Sequence, residues 1–411
     1  MKKHLLVYAH YFYPDVASTG QLLTEVCESL TEDFNVTVIC VVPSYTGKIK
    51  DEYKNNRFYY ENYKGMNLIR VRVPEFNKGS KFSRIKNIVV YFLNSIFATF
   101  KVKNVDVIFT ISQPPVLGGM LGRIGKSIKK CKFIYNIQDF NPEQVEAVGY
   151  FKNKFILNVA KVLDNGNIKK ADKILLVGTD QFETLENRKR EFKEKGILIN
   201  NWTDDKNIYP LEENSKDILD LKRKYKLDNK FIIMYSGNLG LYYDLENIIK
   251  IAKNFQEYKD LAFVFAGEGA IKTKLENYKK KNSLENVYFL PYQPKDKLNI
   301  SLNMGDIHFV VNSKGIKGVS VPSKLYGVMA AGKPVLGVLE EGTEARIIIE
   351  KSNCGICTEP GNYKEIIDII KKVHTDDKIL KEYGVNSRKY LEQYLSKEVS
   401  LDKYKSLINN I

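Results

Sequence analysis

The chain has 411 residues, 44% of them hydrophobic and 27% charged, with a formal net charge of +15. That length exceeds one ordinary doubly wound domain and suits two of roughly 100–200 residues each; collagen-like, low-complexity and disordered classes are excluded by composition. The positive balance admits nucleic acid, an anionic membrane or anionic small substrates as partners, and a Lys-, Asn-, Ile- and Tyr-rich codon bias explains part of it equally well.

The chain opens with a short apolar run at 5–9, too brief for a signal segment and read as a first buried strand. Residues 20–30 read as a helix and 36–42 as a strand. Residues 105–111, 133–137 and 173–177 are further strands, with helical patterns between them. Short apolar strands alternating with helices imply a parallel sheet covered on both faces. The pattern restarts with strands at 231–235, 262–266, 287–290, 307–311 and 334–338, and helices at 245–255 and 324–331. Two such arrays in series predict an α/β protein of two Rossmann-like domains facing across a cleft. The expected boundaries are 1–196, 197–388 and a C-terminal helix at 389–411, with the junction over 197–210.

Between the second and third strands, Ile85, Ile88, Val89, Phe92, Ile96 and Phe97 recur at helical spacing, with Leu93 and Phe100 widening the stripe. Lys81, Arg84 and Lys86 precede it and Lys101 and Lys103 follow. The polar residues Asn87, Asn94, Ser95 and Thr99 interrupt the run, so it is not a span. Two readings stay open: a core helix packed on the sheet, or a helix lying in a membrane interface with its cations on anionic lipid.

The five cysteines, Cys27, Cys40, Cys131, Cys354 and Cys357, are odd in number and scattered. They argue for a reducing compartment and against a disulfide framework. The Cys354-x-x-Cys357 pair lacks further ligands, because His4, His10, His308 and His374 have no ligand-like spacing. Gly118 to Ser127 imitates a phosphate-binding loop but carries Met120 where that loop needs glycine. Its glycines suit a helix packed closely on a sheet.

Ligands of open parallel sheets bind beyond the carboxyl ends of the strands. After the first strand come His10, Tyr13, Asp15 and, opening a helix, Gly20; free N–H groups at a helix start attract anions. After the strand at 133–137 come Gln138, Asp139 and Glu143, with an ordinary capped turn as the alternative. In the second array, Gly237 and Asn238 follow one strand and Gly267, Glu268 and Gly269 the next, where glycines let backbone amides approach phosphates. Pro322-Ser323-Lys324 opens a helix with Ser323 as its cap. A cation in a first turn opposes the helix dipole, and an anion held there gives Lys324 a reason. Glu344 follows Gly342-Thr343 at another helix start. No Asp-x-Asp occurs, so no metal and no other cofactor is expected, and diphosphate charge falls to lysine and helix starts.

The runs Tyr-Phe-Tyr-Pro-Asp-Val-Ala-Ser-Thr-Gly-Gln at 11–21, Ile-Gln-Asp-Phe-Asn-Pro-Glu at 137–143, Asn-Trp-Thr-Asp at 201–204, Tyr-Ser-Gly-Asn-Leu-Gly at 235–240, Phe-Ala-Gly-Glu-Gly at 265–269 and the segment from Pro322 to Val335 together resemble glycosyltransferase family 4. The likeness is to enzymes of bacterial envelope polysaccharide synthesis, those similar to N-acetyl-fucosamine transferases of O-antigen and capsule pathways. The resemblance implies a GT-B fold, a nucleotide-sugar donor, UDP-linked, and metal-independent transfer with retention. It implies a polyprenyl-diphosphate-linked or oligosaccharide acceptor and a cytoplasmic enzyme peripheral to the inner membrane face. By that likeness Gly237, Asn238, Glu268, Ser323 and Lys324 line the donor and Gly20 approaches its phosphate. The loops carrying Tyr13, Asp15 and Gln138–Glu143 meet the acceptor and the reacting carbon, with Asp15 and Asp139 as the catalytic candidates and His10 beside them. Five positions depart from the family pattern. Val319 and Gly327 replace a usual glutamate pair, leaving Glu344 as a substitute ribose contact. Asn238 and Tyr243 replace a common Arg and Lys. Gln138 stands where relatives carry histidine.

A nucleotide-sugar epimerase on the same fold is the main competing reading; it needs paired acid–base groups and no acceptor site. A nucleic-acid-binding protein needs one continuous basic face, which the scattered charge disfavours.

Overall fold

The computed structural model describes residues 2–15, 17–77, 79–147, 149 and 153–411. The first domain is an eight-stranded sheet: β1 His4–Ala9, β2 Asn35–Val41, β3 Phe58–Tyr63, β4 Met66–Val71, β5 Val107–Ile111, β6 Lys132–Ile137, β7 Lys173–Leu176 and β8 Gly196–Leu198. Its order is β3-β4-β2-β1-β5-β6-β7-β8, parallel except for the β3–β4 hairpin at one edge. That hairpin is absent from the predicted elements, because β3 is half-exposed and gives no apolar run. Helices α1 Ser18–Leu30, α2 Lys81–Lys101, α3 Leu117–Lys129, α4 Asn141–Ala147, α5 Lys154–Lys170, α6 Gln181–Arg188 and α7 Arg190–Lys193 surround the sheet.

The second domain is a six-stranded parallel sheet of β9 Phe231–Ser236, β10 Leu261–Ala266, β11 Val287–Leu290, β12 Ile307–Val311, β13 Val335–Val338 and β14 Gly355–Thr358, in the order β11-β10-β9-β12-β13-β14. Its helices are α8 Lys216–Lys224, α9 Leu245–Ile251, α10 Lys272–Lys281, α11 Leu298–Asn303, α12 Lys324–Ala330, α13 Glu344–Ser352, α14 Tyr363–Val373 and α15 Asp377–Tyr390, and the last helix is α16 Lys397–Asn409. The strands are buried on both faces and read as near-continuous apolar runs for that reason.

Two features fix how the domains meet. The chain leaves the first domain over a short linker. Trp202 is buried in that domain's core against Tyr404, and its Nε1 donates to Glu25 at 2.8 Å, while Ile208 already packs in the second domain. On the way back, Leu391 and Leu395 still pack in the second domain's core. Tyr404, Leu407 and Ile408 of α16 pack in the first, so the return passes over 391–396. Arg388 pins the linker by donating to the carbonyls of Ile208 and Ala330, both at 2.9 Å.

α3 meets the glycine expectation. A Cβ at Gly122 would lie 2.1 Å from the Phe133 ring and one at Gly125 2.6 Å from the Tyr8 hydroxyl, so only glycine lets this helix sit so low on the sheet. α2 divides its apolar stripe: Phe92 and Ile96 pack against the core beside Tyr91 and Ala98, while most of the rest faces out. Its buried residues are Asn87, Tyr91, Asn94, Ser95, Ala98 and Thr99, while Phe82, Ile85, Val89, Leu93, Phe97 and Phe100 are exposed. The inward polar groups are satisfied locally: Asn87 Nδ2 donates to the Pro74 carbonyl, Asn94 Nδ2 to the Arg72 carbonyl, and the Tyr8 hydroxyl pairs with Thr99.

Candidate active site

Both sheets change direction at their middle strands. β1 lies between β2 and β5, and β9 between β10 and β12. The crevices at such switch points take ligands, and across the domain junction the loops leaving β6 and β7 meet the segments leaving β12 and β13.

On the second domain, Gly237 and Gly267 have φ of 145° and 144°, a region closed to side chains. A Cβ on Gly267 would fall 1.9 Å from the Gly237 carbonyl, so the loops after β9 and β10 cross in contact. A Cβ on Gly237 would meet the Lys324 side chain at 3.3 Å. The first turn of α12 therefore aims Lys324 over these glycines. Its Nζ lies 3.5 Å from the Tyr243 ring centroid and 5.2 Å from that of Tyr235. Burial lowers its pKa to about 7. Among the described residues no carboxylate pairs with it. Ser323 precedes Lys324 but is exposed and makes no side-chain capping bond, contrary to the expected cap. Glu268 is engaged with Lys272 at 2.6 Å on the solvent side, and the Asn238 side chain lies against Gly240 and Gly269.

Asp139 joins this cluster from the first domain. It forms an isolated antiparallel bridge with Ser320. Burial raises its carboxyl, and a bond with the Ser320 side chain opposes the rise. Burial pushes the Tyr243 phenol up to about 12, and the Asp139 charge adds to that. Asp139, Tyr243 and Lys324 are thus electrostatic neighbours across the junction.

The segment between β12 and α12 latches the domains. Glu340 Oε2 accepts from the N–H groups of Gly315, Ile316 and Lys317 at 2.8, 3.1 and 3.2 Å and shapes the turn. Beyond it, the Gly318 N–H donates to Asp180 at 2.8 Å, Thr184 Oγ1 donates to the Gly318 carbonyl at 2.7 Å, and the Phe140 N–H donates to the Val319 carbonyl at 3.0 Å. Val319 packs in the first domain's core. The apolar residue at a usual glutamate position is therefore an interdomain plug. Burial lifts Asp180 to about 6, with the Gly318 N–H opposing the rise. Glu344 belongs to the same latch. It accepts from the Thr179 N–H at 2.7 Å and from Asn200 Nδ2 at 2.7 Å. Its carboxylate is buried and bonded to the first domain, where the sequence resemblance implies a ribose contact.

Other first-domain residues divide sharply. Asp15 accepts from the N–H groups of Ser44 and Tyr45, both at 3.1 Å, and so staples the loop after β1 to the loop after β2. Glu143 forms a fork with Arg188 at 2.9 and 2.8 Å, and Arg188 also holds Asp164 at 2.6 Å. Gln138 is buried, donating to Asn136 at 3.1 Å and accepting from Asn201 at 2.6 Å. Tyr13 stacks on Tyr63 with centroids 4.0 Å apart. Asp15, Glu143 and Gln138 thus have protein partners for their side chains, while Tyr13 is stacked yet 43% exposed. Gly20 has a packing reason of its own, since a Cβ there would lie 2.8 Å from the Tyr11 carbonyl. His10 does line a cavity, of about 180 Å³, with Arg84, Gln113 and Asn141. Burial lowers its pKa to about 4, so the ring is neutral near pH 7. Sequence reasoning missed Thr179, Asp180 and Asn200, whose partners lie in the other domain.

Two facing domains built on largely parallel sheets are the architecture of GT-B enzymes. Residues 217–390 match the family described as Glycosyl transferases group 1. WbjE of Pseudomonas aeruginosa, described as a glycosyltransferase, is 25% identical over 339 residues, 82% of this chain and 83% of that protein. WcaI of Escherichia coli (strain K12), described as a colanic acid biosynthesis glycosyl transferase, is 24% identical across 99% of both chains. Among solved structures, sucrose-phosphate synthase from Thermosynechococcus elongatus superposes with a TM-score of 0.77 at 13% identity, covering 100% of this chain and 99% of that one. HepE of Anabaena in complex with UDP and glucose superposes at 0.70 with 14% identity, covering 99% of each. The family match thus covers the second domain, and the two domains together have the GT-B fold of the solved neighbours.

Proposed function

We propose that the protein moves a sugar from a UDP-linked donor to a lipid-linked acceptor, a polyprenyl diphosphate or its oligosaccharide, in envelope polysaccharide synthesis at the cytoplasmic membrane face. Transfer retains the anomeric configuration and uses no metal, and an N-acetylated hexosamine is the sugar the sequence resemblance favours. The observation that carries the reading is Lys324, a half-buried cation with no carboxylate partner among the described residues, aimed over two glycine loops. A buried ammonium without a counter-charge is unfavourable, and a donor diphosphate supplies that charge. As the bond to the sugar breaks, negative charge grows on the departing diphosphate, and a cation already in place stabilises it without reorganisation. Asp139, on the first-domain side of Tyr243, is the carboxylate best placed to face the reacting carbon. Structures of neighbours solved with UDP or UDP-2-fluoro glucose support the donor class. The printed role of WcaI in colanic acid biosynthesis supports the pathway class.

Membrane attachment rests on α2 and α5. α3 packs between them, and α5 repeats the exposed apolar pattern at Phe155, Ile156, Val159, Val162 and Leu163. α2, α3 and α5 carry Lys81, Arg84, Lys86, Lys101, Arg123, Lys126, Lys129, Lys154, Lys161, Lys169 and Lys170. Their sole acid, Asp164, is buried against Arg188 and Tyr135. An apolar, cationic face of this kind suits anionic lipid. No helix among the described residues is long and apolar enough to cross a membrane.

Calorimetric titration with UDP, GDP and ADP tests the donor assignment. UDP binding by the wild type that is lost in Lys324→Ala is the expected outcome. Equal binding by the variant removes the lysine from the site.

A further inference from the structure

A second and larger cavity, of about 520 Å³, opens on the other flank of α2, between the segment at 49–57, the exit of β4 and the middle of the helix. Four cations line it: Lys54, Arg57, Arg72 and Lys86. Their partners are mostly neutral. Arg57 Nε donates to Asn94 Oδ1 at 2.8 Å, and its guanidinium lies 4.2 Å from the Phe97 ring centroid. Arg72 donates to the Lys54 carbonyl. Lys54 pairs with the exposed Asp51 at 2.8 Å. Glu75, the one acid in the lining, accepts from the Ile49 N–H and faces Lys48 at 3.8 Å. Among the described residues no carboxylate lies within ion-pair distance of Arg57, Arg72 or Lys86.

Three uncompensated cations around one cavity raise the local potential and repel each other. Two of them are arginines, whose planar forks fit phosphate oxygens. Helix geometry supplies the second half of the argument. Lys86, Val90 and Asn94 stand one turn apart on α2 and face the cavity. Phe82, Val89 and Leu93 occupy the adjoining ridge and are exposed. A cationic cavity directly beside an exposed apolar ridge matches the two ends of a phosphate-bearing amphiphile.

We propose that this cavity binds the phosphate headgroup of a lipid, with the lipid chain running along the α2 ridge. The site stands apart from the donor cluster at Lys324. For the source of its ligand it rests on the membrane reading above, but its test requires neither transfer nor vesicles. Arg57 and Arg72 hold the phosphate, and Lys86 adds charge at the rim. The occupant is the headgroup of a bilayer phospholipid, whose phosphate oxygens meet the arginines while its chains lie on the ridge.

The test is equilibrium binding of monomeric dihexanoyl phosphatidic acid and of inorganic phosphate to the full chain. The wild type is compared with Arg57→Gln/Arg72→Gln, with Lys86→Gln and with a control, Lys103→Gln/Lys130→Gln, that removes equal charge elsewhere on the same domain. Lys86→Gln breaks no hydrogen bond or ion pair among the described residues and covers the case in which the double variant is unstable. The expected result is that phosphatidic acid binds more tightly than phosphate and weakens about tenfold or more in the double variant. A smaller loss is expected in Lys86→Gln and none in the control. Equal affinity for the two ligands, lost in the same variants, supports the site with free phosphate as its source. Unchanged binding in Lys86→Gln and in a folded double variant, or equal loss in the control, overturns the proposal whatever becomes of the membrane reading.

Discussion

Lys324 Nζ sits 3.5 Å from the centre of the Tyr243 ring, and Asp139 of the opposite domain bears on the same tyrosine. The lysine's positive charge is met by an aromatic face rather than by a carboxylate. A cation–π contact offsets only part of the cost of burying an ammonium, and burial accordingly lowers Lys324 to about 7.

This gives a proton-linkage prediction. An anion bound against Lys324 restores its charged form, so UDP binding takes up protons at and above pH 7, and affinity declines as pH rises further. Calorimetry in two buffers of different ionisation heat at pH 8 reads the uptake directly. Lys324→Met should abolish it. Identical proton counts in the two proteins would show that the lysine does not meet the diphosphate.

Asp180 makes the latch pH-dependent. Its folded pKa, about 6, lies above the ordinary carboxyl value. Its favourable share is therefore complete at pH below that ordinary value and is lost as pH rises through 6. Asp180→Asn should remove this part of the decline in thermal midpoint between about pH 4 and about pH 7. Parallel profiles for the two proteins would contradict the assignment.

Arg188 separates scaffold from chemistry. It holds Glu143 and Asp164 in a buried cluster, and removing one member of such a cluster costs about 3–5 kcal/mol. Arg188→Ala should lower the urea midpoint by that equivalent while the protein that remains folded binds UDP normally. Glu143→Gln should behave likewise, more mildly. A loss of acceptor use without a loss of stability in Glu143→Gln would return that residue to the acceptor site.

The α2 ridge predicts vesicle binding. Phe82→Ser/Leu93→Ser should weaken sedimentation with phosphatidylglycerol vesicles by about tenfold or more, since each side chain buries roughly 1.5–3 kcal/mol of apolar contact. Their exposure means the thermal midpoint should not fall. Undiminished binding, or a collapse of stability, would assign the ridge another partner.

The sequence made the two parallel sheets legible, because strands buried on both faces, such as β1 and β9, must read as unbroken apolar runs. Lys324 was legible too, since a lysine in a helix's first turn works against the dipole and demands an anion. The protein partners of Asp15, Glu143 and Glu344 were not. A carboxylate near a strand end looks the same whether it faces ligand or backbone, and only the partner decides. Glu344 meets Thr179 and Asn200 across 165 and 144 positions of chain. The orientation of α2 was hidden for a related reason. Periodicity finds an apolar stripe but not its direction, and here Asn87, Asn94 and Thr99 find local partners that let the polar side face inward.

The central claim is transfer powered by a donor held at Lys324. Its most direct test is radiolabel incorporation from a set of UDP-hexoses and UDP-N-acetylhexosamines into solvent-extractable membrane lipid, in excess EDTA. The wild type should label lipid from one of these donors with chelator present. Lys324→Ala, folded by thermal midpoint, should lose about a hundredfold in rate, as removal of a preorganised charge-stabilising group does. Undiminished labelling by the variant, or labelling that chelator abolishes and magnesium or manganese restores, would contradict the account.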